Sequence, residues 1–279
     1  VVFNEDSADL DFRVESNGNA NMLVVNGGGD RVGIASDPDL GTGLHIKTAD
    51  SGASVSVHAD ELVVEGSANS GLSILSGASS NGRIMFGDSG DNDIGYIEYD
   101  HSANQLALGA NAASHIKIDS AGIITKPNQV FVYASLSADQ TITANDSDAK
   151  VTLDQELYDV NGDFNTSTNT FTAPVSGVYM VTAAWQFVED LNSNITDVAM
   201  KLNASNGDEF VKFENPQAIQ VSTSSEFKYY ANGSKIIYMD ANDTMYLEID
   251  AYSGGSHTFK LNGGTNQRAE TSMQIYLLG

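Results

Sequence analysis

The sequence predicts an all-β protein in two parts: an N-terminal elongated β-shaft of short strands and hairpins, then a larger, more compact β-domain. Three observations predict it. Helix signals are scarce, while short β-branched or aromatic runs recur between Gly, Asn, Asp and Ser turn residues. Through the first part those runs return at spacings near ten residues. After Thr125-Lys126-Pro127-Asn128 the aromatic density rises, and the only tryptophan, Trp185, lies there. The predicted boundaries are residues 1–124 for the shaft, 125–128 for a linker and 129–279 for the head.

The shaft elements follow in order. Leu10, Phe12 and Val14 alternate with Asp11, Arg13 and Glu15, a period of two that separates the faces of a strand. Ser16-Asn17-Gly18-Asn19 supplies a hairpin turn, followed by the runs Met22–Val25 and Arg31–Ile34 around Asn26-Gly27-Gly28-Gly29-Asp30. Similar runs are expected as strands at 44–46, 55–57, 62–64, 72–75, 83–86, 94–99 and 106–108. An internal echo links Phe12-Arg13-Val14-Glu15-Ser16-Asn17-Gly18 to Ile116-Lys117-Ile118-Asp119-Ser120-Ala121-Gly122. Few of these strands carry large side chains, so a single chain has a thin core there. Packing several chains together removes more apolar area from water, at ~25 cal/mol per Å².

The head is organised around Phe171-Thr172-Ala173-Pro174-Val175-Ser176-Gly177-Val178-Tyr179. Pro174 presets φ and Gly177 tolerates positive φ, which predicts a tight turn between two strands. Beyond it, Tyr179, Val181, Ala183, Trp185 and Phe187 share one face. Val178, Met180, Thr182, Ala184 and Gln186 share the other, small and half apolar. One face fills the domain's own core. The other calls for a further cover, such as a second subunit.

Composition narrows the functional classes. The 279 residues include 37 acidic and 13 basic ones, a net charge of −24, spread over the chain rather than run together. Such a surface repels phosphate backbones and anionic membranes, so neither nucleic acid nor membrane insertion is expected. The absence of cysteine excludes disulfides and thiolate metal sites. No Gly-x-Ser-x-Gly motif is present, and the glycine-rich stretches lack the lysine and helix of a phosphate site. No enzyme and no required cofactor are therefore expected. No apolar run is long enough to span a bilayer and no signal peptide is visible. Val1 stands where an initiator methionine would, so the chain is expected to be the later part of a longer protein or a trimmed one.

The head carries a family resemblance. Phe171-Thr172-Ala173-Pro174-x-x-Gly177-x-Tyr179 resembles the signature of the C1q domain, within the C1q/TNF superfamily. Val130–Ala134, Leu157–Phe164 with Thr168–Phe171, Met239–Leu247 and Ser272–Leu278 resemble successive segments of the same family. Asn242 stands where glycine is usual, a place that asparagine fills because it tolerates the left-handed region. The resemblance implies a jelly-roll sandwich that assembles as a homotrimer. Phe171, Pro174, Gly177 and Tyr179 are its structural signature. In the shaft, Leu10–Asn19, Asp30–Ile34, Ser89–Ser102 and Ile116–Gly122 resemble modules of bacteriophage tail fibres and other virion fibres.

Together these resemblances imply a virion-located, non-enzymatic structural and adhesive fibre. Its head binds the host surface or caps the fibre, and other virion proteins hold it through an N-terminal anchor outside this sequence. A capsid (head) fibre or decoration protein is the second reading, and a polysaccharide depolymerase the third. Candidate sites are few. Asp88, Asp91 and Asp93 alternate oxygen donors around Gly90, as a calcium loop would. Asp159-Val160-Asn161-Gly162-Asp163 is a weaker version. Tyr229, Tyr230, Tyr252 and His257 are candidates for stacking on a host glycan or anchoring on a protein. The histidines His45, His58, His101, His115 and His257 show no metal-motif spacing and are expected at the surface or stacked in the shaft.

Overall fold

The computed structural model describes residues 12–279 except 42, 144–148, 191–194, 206–210, 214–220, 223–225, 254–257 and 265–269, with backbone alone at 189–190, 195–198, 211–213, 221–222, 226–229 and 251–253. The described residues hold strands and no helix. The chain divides into two compact units, Val1–Arg83 and Ile84–Gly279.

The first unit is built on a five-stranded sheet in chain order: β1 (Phe12–Val14), β2 (Leu23–Asn26), β3 (Arg31–Ile34), β4 (Leu44–Lys47) and β5 (Leu62–Glu65). β1, β2 and β3 pair antiparallel. β3, β4 and β5 pair parallel, with Val32 beside Leu44 and Leu44 beside Leu62. Because side chains alternate, the register sorts residues strictly by face. Phe12 and Val14 share a face with Val25 and Leu23. That face continues through Val32 and Ile34 to Leu44 and Ile46, and ends at Leu62 and Val64. All of these residues are apolar. The opposite face carries Arg31, His45, Lys47 and Glu65.

The segments that cross between the parallel strands lie over the polar face. Gly33 is buried against Ser36 and Pro38, where a Cβ would stand 2.5 Å from the Ser36 carbonyl. His45, Lys47 and Glu65 are buried, while Val25, Ile34, Leu62 and Val64 remain exposed. The usual arrangement of a soluble sheet is inverted here.

A second five-stranded sheet is an antiparallel meander of β6 (Asn81–Phe86), β7 (Gly95–Asp100), β8 (Gln105–Ala110), β9 (Ala113–Ile118) and β10 (Ile124–Thr125). It repeats the same sorting. Ile97 and Tyr99 face the side of Leu108 and Leu106. Ile116, Ile118 and Ile124 continue that side. Tyr96, Glu98, Asp100 and Lys117 take the other.

The remaining strands form a two-layered sandwich. They are β11 (Phe131–Ser135), β12 (Gln140–Thr143), β13 (Ala149–Lys150), β14 (Gln155–Asp159), β15 (Phe164–Asn165), β16 (Thr170–Thr172), β17 (Gly177–Asp190), β18 (Ile195–Ala204), β19 (Val211–Phe213), β20 (Val221–Ser222), β21 (Glu226–Met239), β22 (Thr244–Ser253), β23 (Thr258–Leu261) and β24 (Ser272–Leu277). One layer is an eight-stranded sheet centred on β17, with β21 along one edge and β24 and β23 along the other. The second is a six-stranded sheet around β22. Between them Tyr179, Val181, Ala183, Trp185 and Phe187 meet Phe171, Met200, Leu202, Met245, Leu247 and Ile249, all buried. Trp185 stacks on Phe187 at 5.3 Å between ring centroids.

Two expectations need correction. Residues 55–57 and 72–75 are not strands; Val57 and Leu75 are 79% and 92% exposed. They had the β-branched composition of strands, but no neighbouring segment supplies a ladder for them. The Ser16–Asn19 turn forms as expected, Ser16 N–H donating to the Asn19 carbonyl, within the connection from Val14 to Leu23 that joins antiparallel β1 and β2. Gly177, finally, is not required for positive φ. It is buried where a Cβ would stand 2.8 Å from Leu277 Cδ1 and 3.0 Å from the Gly279 carbonyl.

Candidate interaction surface

The signature stretch is fixed from both ends. Phe171 is the middle residue of β16 in the six-stranded sheet, paired with Phe164 and Met245. Tyr179 begins the long β17 in the other sheet, so the turn carries the chain between layers. The Tyr179 hydroxyl donates to the Val175 carbonyl at 2.6 Å, and its ring meets Phe171 edge-on at 5.7 Å. Burial pushes this hydroxyl's pKa up. Pro174, Val175 and Ser176 stay exposed. Ala173 accepts from Asn242 N–H and donates to the Asp243 carbonyl, both at 2.8 Å. The turn at Asp240–Asp243 therefore docks against the signature turn, and Asn242 occupies the left-handed region at φ 74° as expected. Val178 N–H donates to the carbonyl of Gly279 at 2.7 Å.

This end of the domain positions the most apolar part of the outer face of the eight-stranded sheet. In register across it lie Tyr238 beside Val178, Ile236 beside Met180, and Met180 beside Tyr276. Phe131 pairs with Tyr276, their rings 6.4 Å apart, and Tyr158 follows at 6.0 Å from Phe131. Ile236 is 64% exposed, Tyr238 52% and Tyr158 50%. Further along the face the residues turn polar: the Thr182 and Ser234 hydroxyls share a hydrogen bond of 2.7 Å, and Gln186 is buried against Asn262. The second face of β17, expected to seek a cover outside its own core, is thus open at its apolar end; at its polar end Gln186 is buried while Tyr230, Asn232 and Ser234 beside β17 stay exposed.

Of the aromatic candidates, Tyr230 lies on this same sheet, on the row of Gln186, and is exposed. Tyr229 and Tyr252 belong to strands β21 and β22, but their side chains lie outside the described residues, as does the whole of His257. The row through Tyr238, Tyr276, Phe131 and Tyr158 was not singled out in the sequence. Its members come from four distant strands, and only the pairing register brings them together.

The acidic loops are turn builders. Asp88 accepts from Gly90 N–H at 2.7 Å and from Asp91 N–H at 3.1 Å, and Asp91 accepts from Asp93 N–H at 3.2 Å. Those backbone donors hold the Asp88 carboxyl below its ordinary pKa. Asp159 likewise receives Gly162, Asp163 and Phe164 N–H. This geometry gives the carboxylates of Asp88, Asp91 and Asp159 a local structural task.

A tighter polar cluster lies on the covered face of the first sheet. His45 Nε2 is 2.9 Å from Glu65 Oε2, and His45 Nδ1 is 3.5 Å from Asp39. Among the described residues this trio is the one group with three metal-ligating atoms within 4.8 Å of one another. Its chemistry does not suit a metal. Lys47 Nζ already sits 2.6 Å from Asp39 and 3.5 Å from Glu65, supplying the positive charge. The other Glu65 oxygen is held by Ser51 through its N–H at 2.7 Å and its hydroxyl at 2.9 Å. His45, expected at the surface or stacked in the shaft, is therefore buried and held by charged partners. Nothing local in the sequence announces the cluster, because the parallel register that aligns Lys47 with Glu65 spans a long crossover.

Glu65 has a folded-state pKa lowered from the ordinary 4.5 to about 2, first by Ser51 N–H, then by the Ser51 hydroxyl, Lys47 and His45, against the opposing effect of burial. A depressed carboxyl stabilises the fold above its unfolded pKa, and that contribution is lost as pH falls through the folded value. The stability difference between the native protein and a Glu65→Gln variant is expected to shrink as pH falls from about 5 to about 2. Urea unfolding followed across that range checks it; a constant difference would contradict the assignment.

Comparison with known proteins completes the description. Residues 133–265 match the family model of the C1q domain. Among similar solved structures, the globular domain of the zebrafish complement 1qA protein is 16% identical with a TM-score of 0.35, the match covering 54% of this chain and 98% of that one. Eiger TNF from S. frugiperda is 10% identical with a TM-score of 0.37, over 55% of this chain and 94% of that one. None of the curated proteins matches the chain. The family match contains the signature turn, the docked turn at Asp240–Asp243 and most of both layers of the sandwich. Residues 133–265 of this all-β chain are a C1q domain, with the jelly-roll fold of that family.

Proposed function

We propose that the chain is a non-enzymatic structural and adhesive fibre protein, a homotrimer in which the β-rich N-terminal part forms the shaft and the C1q domain the head. The observation that carries this reading is the uncharged outer face through Ile236, Met180, Tyr276 and Phe131. A chain of net charge −24 would otherwise leave that surface to water. In a trimer the row lies between neighbouring heads. The signature residues Phe171, Gly177 and Tyr179 act behind it, by holding β17 in place.

The modules at 10–34, 89–102 and 116–122 resemble virion fibre segments and support a bacteriophage tail fibre as the setting, with the head binding the host surface or capping the fibre. Tyr229, Tyr230, Tyr252 and His257 are the residues of the head assigned to a host glycan or protein. Antibody raised against the C1q domain and imaged on virions tests the setting. Label at the distal ends of tail-attached fibres is the expected result, and label on the capsid shell would move the protein to the decoration reading. Host polysaccharide incubated with purified protein is expected to keep its length; shortened chains would overturn the non-enzymatic assignment.

A further inference from the structure

We propose that the apolar faces of the two N-terminal sheets are the seams along which copies of this chain hold one another in the shaft. The number of copies rests on the trimeric reading above; the surface itself does not.

The first sheet buries the wrong side for a solitary protein. Its crossovers cover His45, Lys47 and Glu65, while its other face presents only apolar side chains from all five strands. Val25, Ile34, Leu62 and Val64 are each between 37% and 53% exposed. A side that holds charge costs more to cover than an apolar one, unless each group is partnered. Here the charges are partnered inside the chain, and the apolar side is left open. The meander repeats the design independently: Ile97, Tyr99, Leu108 and Ile124 stay open, while Glu98, Asp100 and Lys117 take the other side.

Two arguments identify the occupant as a second copy. A partner chosen for electrostatic attraction would be cationic and would meet acidic residues. Neither face carries a charge, although the chain carries 37 acidic residues. Two bodies of net charge −24 can approach only along uncharged surfaces. A copy also offers two faces of matching character at the same two places along its chain.

The test uses the full chain, which lacks cysteine, so a single introduced thiol reports one position. Val64→Cys and Leu108→Cys place it on the two faces. Ala59→Cys and Ala103→Cys place it at exposed loop positions as references. Maleimide labelling of the native protein is paired with its mass by light scattering. The expected result is a mass that is a multiple of 29.6 kDa, with Val64→Cys and Leu108→Cys labelled at least ~10-fold more slowly than the references. Equal labelling rates in a protein of multiple mass would overturn the seams while leaving the trimeric head intact. A single-chain mass would overturn both, whatever the labelling rates.

Discussion

Phe171→Ala is expected to cost the C1q domain about 4 kcal/mol, against the 5–15 kcal/mol typical of a whole domain. Phe171 is fully buried, meets Tyr179 edge-on, and pairs across strands with both Phe164 and Met245. Truncation leaves a ring-sized cavity where three strands converge, and the Val175–Tyr179 hydrogen bond beside it loses its support. The domain should then unfold at markedly lower urea concentration. Phe171→Leu, which refills most of the volume, should lose only about 1.5 kcal/mol. A loss below about 1 kcal/mol for the alanine variant would mean that the signature turn does not anchor the sandwich.

Ile236→Asp is expected to leave the fold of one chain nearly unchanged and to weaken assembly strongly. Ile236 is 64% exposed, so a surface substitution there should shift folding stability by less than about 0.5 kcal/mol. In the proposed interface between heads, the same carboxylate is desolvated without a partner, beside Met180 and one strand from Tyr276. A cost of about 2 kcal/mol per site corresponds to a ~30-fold weaker association. Sedimentation of the full-length variant across a dilution series should show dissociation at higher concentration than the native protein. Unchanged sedimentation would place the interface elsewhere on the head.

Much of the head is legible in the sequence because its signals are local. The period of two from Tyr179 to Phe187 names five residues that the structure buries. The Asp240–Asp243 turn is readable from Asn242 alone. Gly177 is legible as a required glycine but not for the right reason: the constraint comes from Leu277 and Gly279, a hundred residues later in the chain. The two N-terminal sheets are harder to read. Alternation at Phe12 and Val14 shows that one face is apolar, yet whether that face lies inside depends on where the crossovers go. Parallel pairing of β3, β4 and β5 sends them over His45, Lys47 and Glu65, and no short-range pattern encodes that choice. The aromatic row on the head escapes for the same reason, since Phe131, Tyr158, Tyr238 and Tyr276 become neighbours only through sheet register.

The account rests on one claim above the others: that open apolar faces on the shaft sheets and on the head are closed by copies of the same chain. The mass of the purified full-length protein in solution tests it most directly. Light scattering should return three times the single-chain mass of 29.6 kDa, held on dilution through the micromolar range. A steady 29.6 kDa would contradict the account.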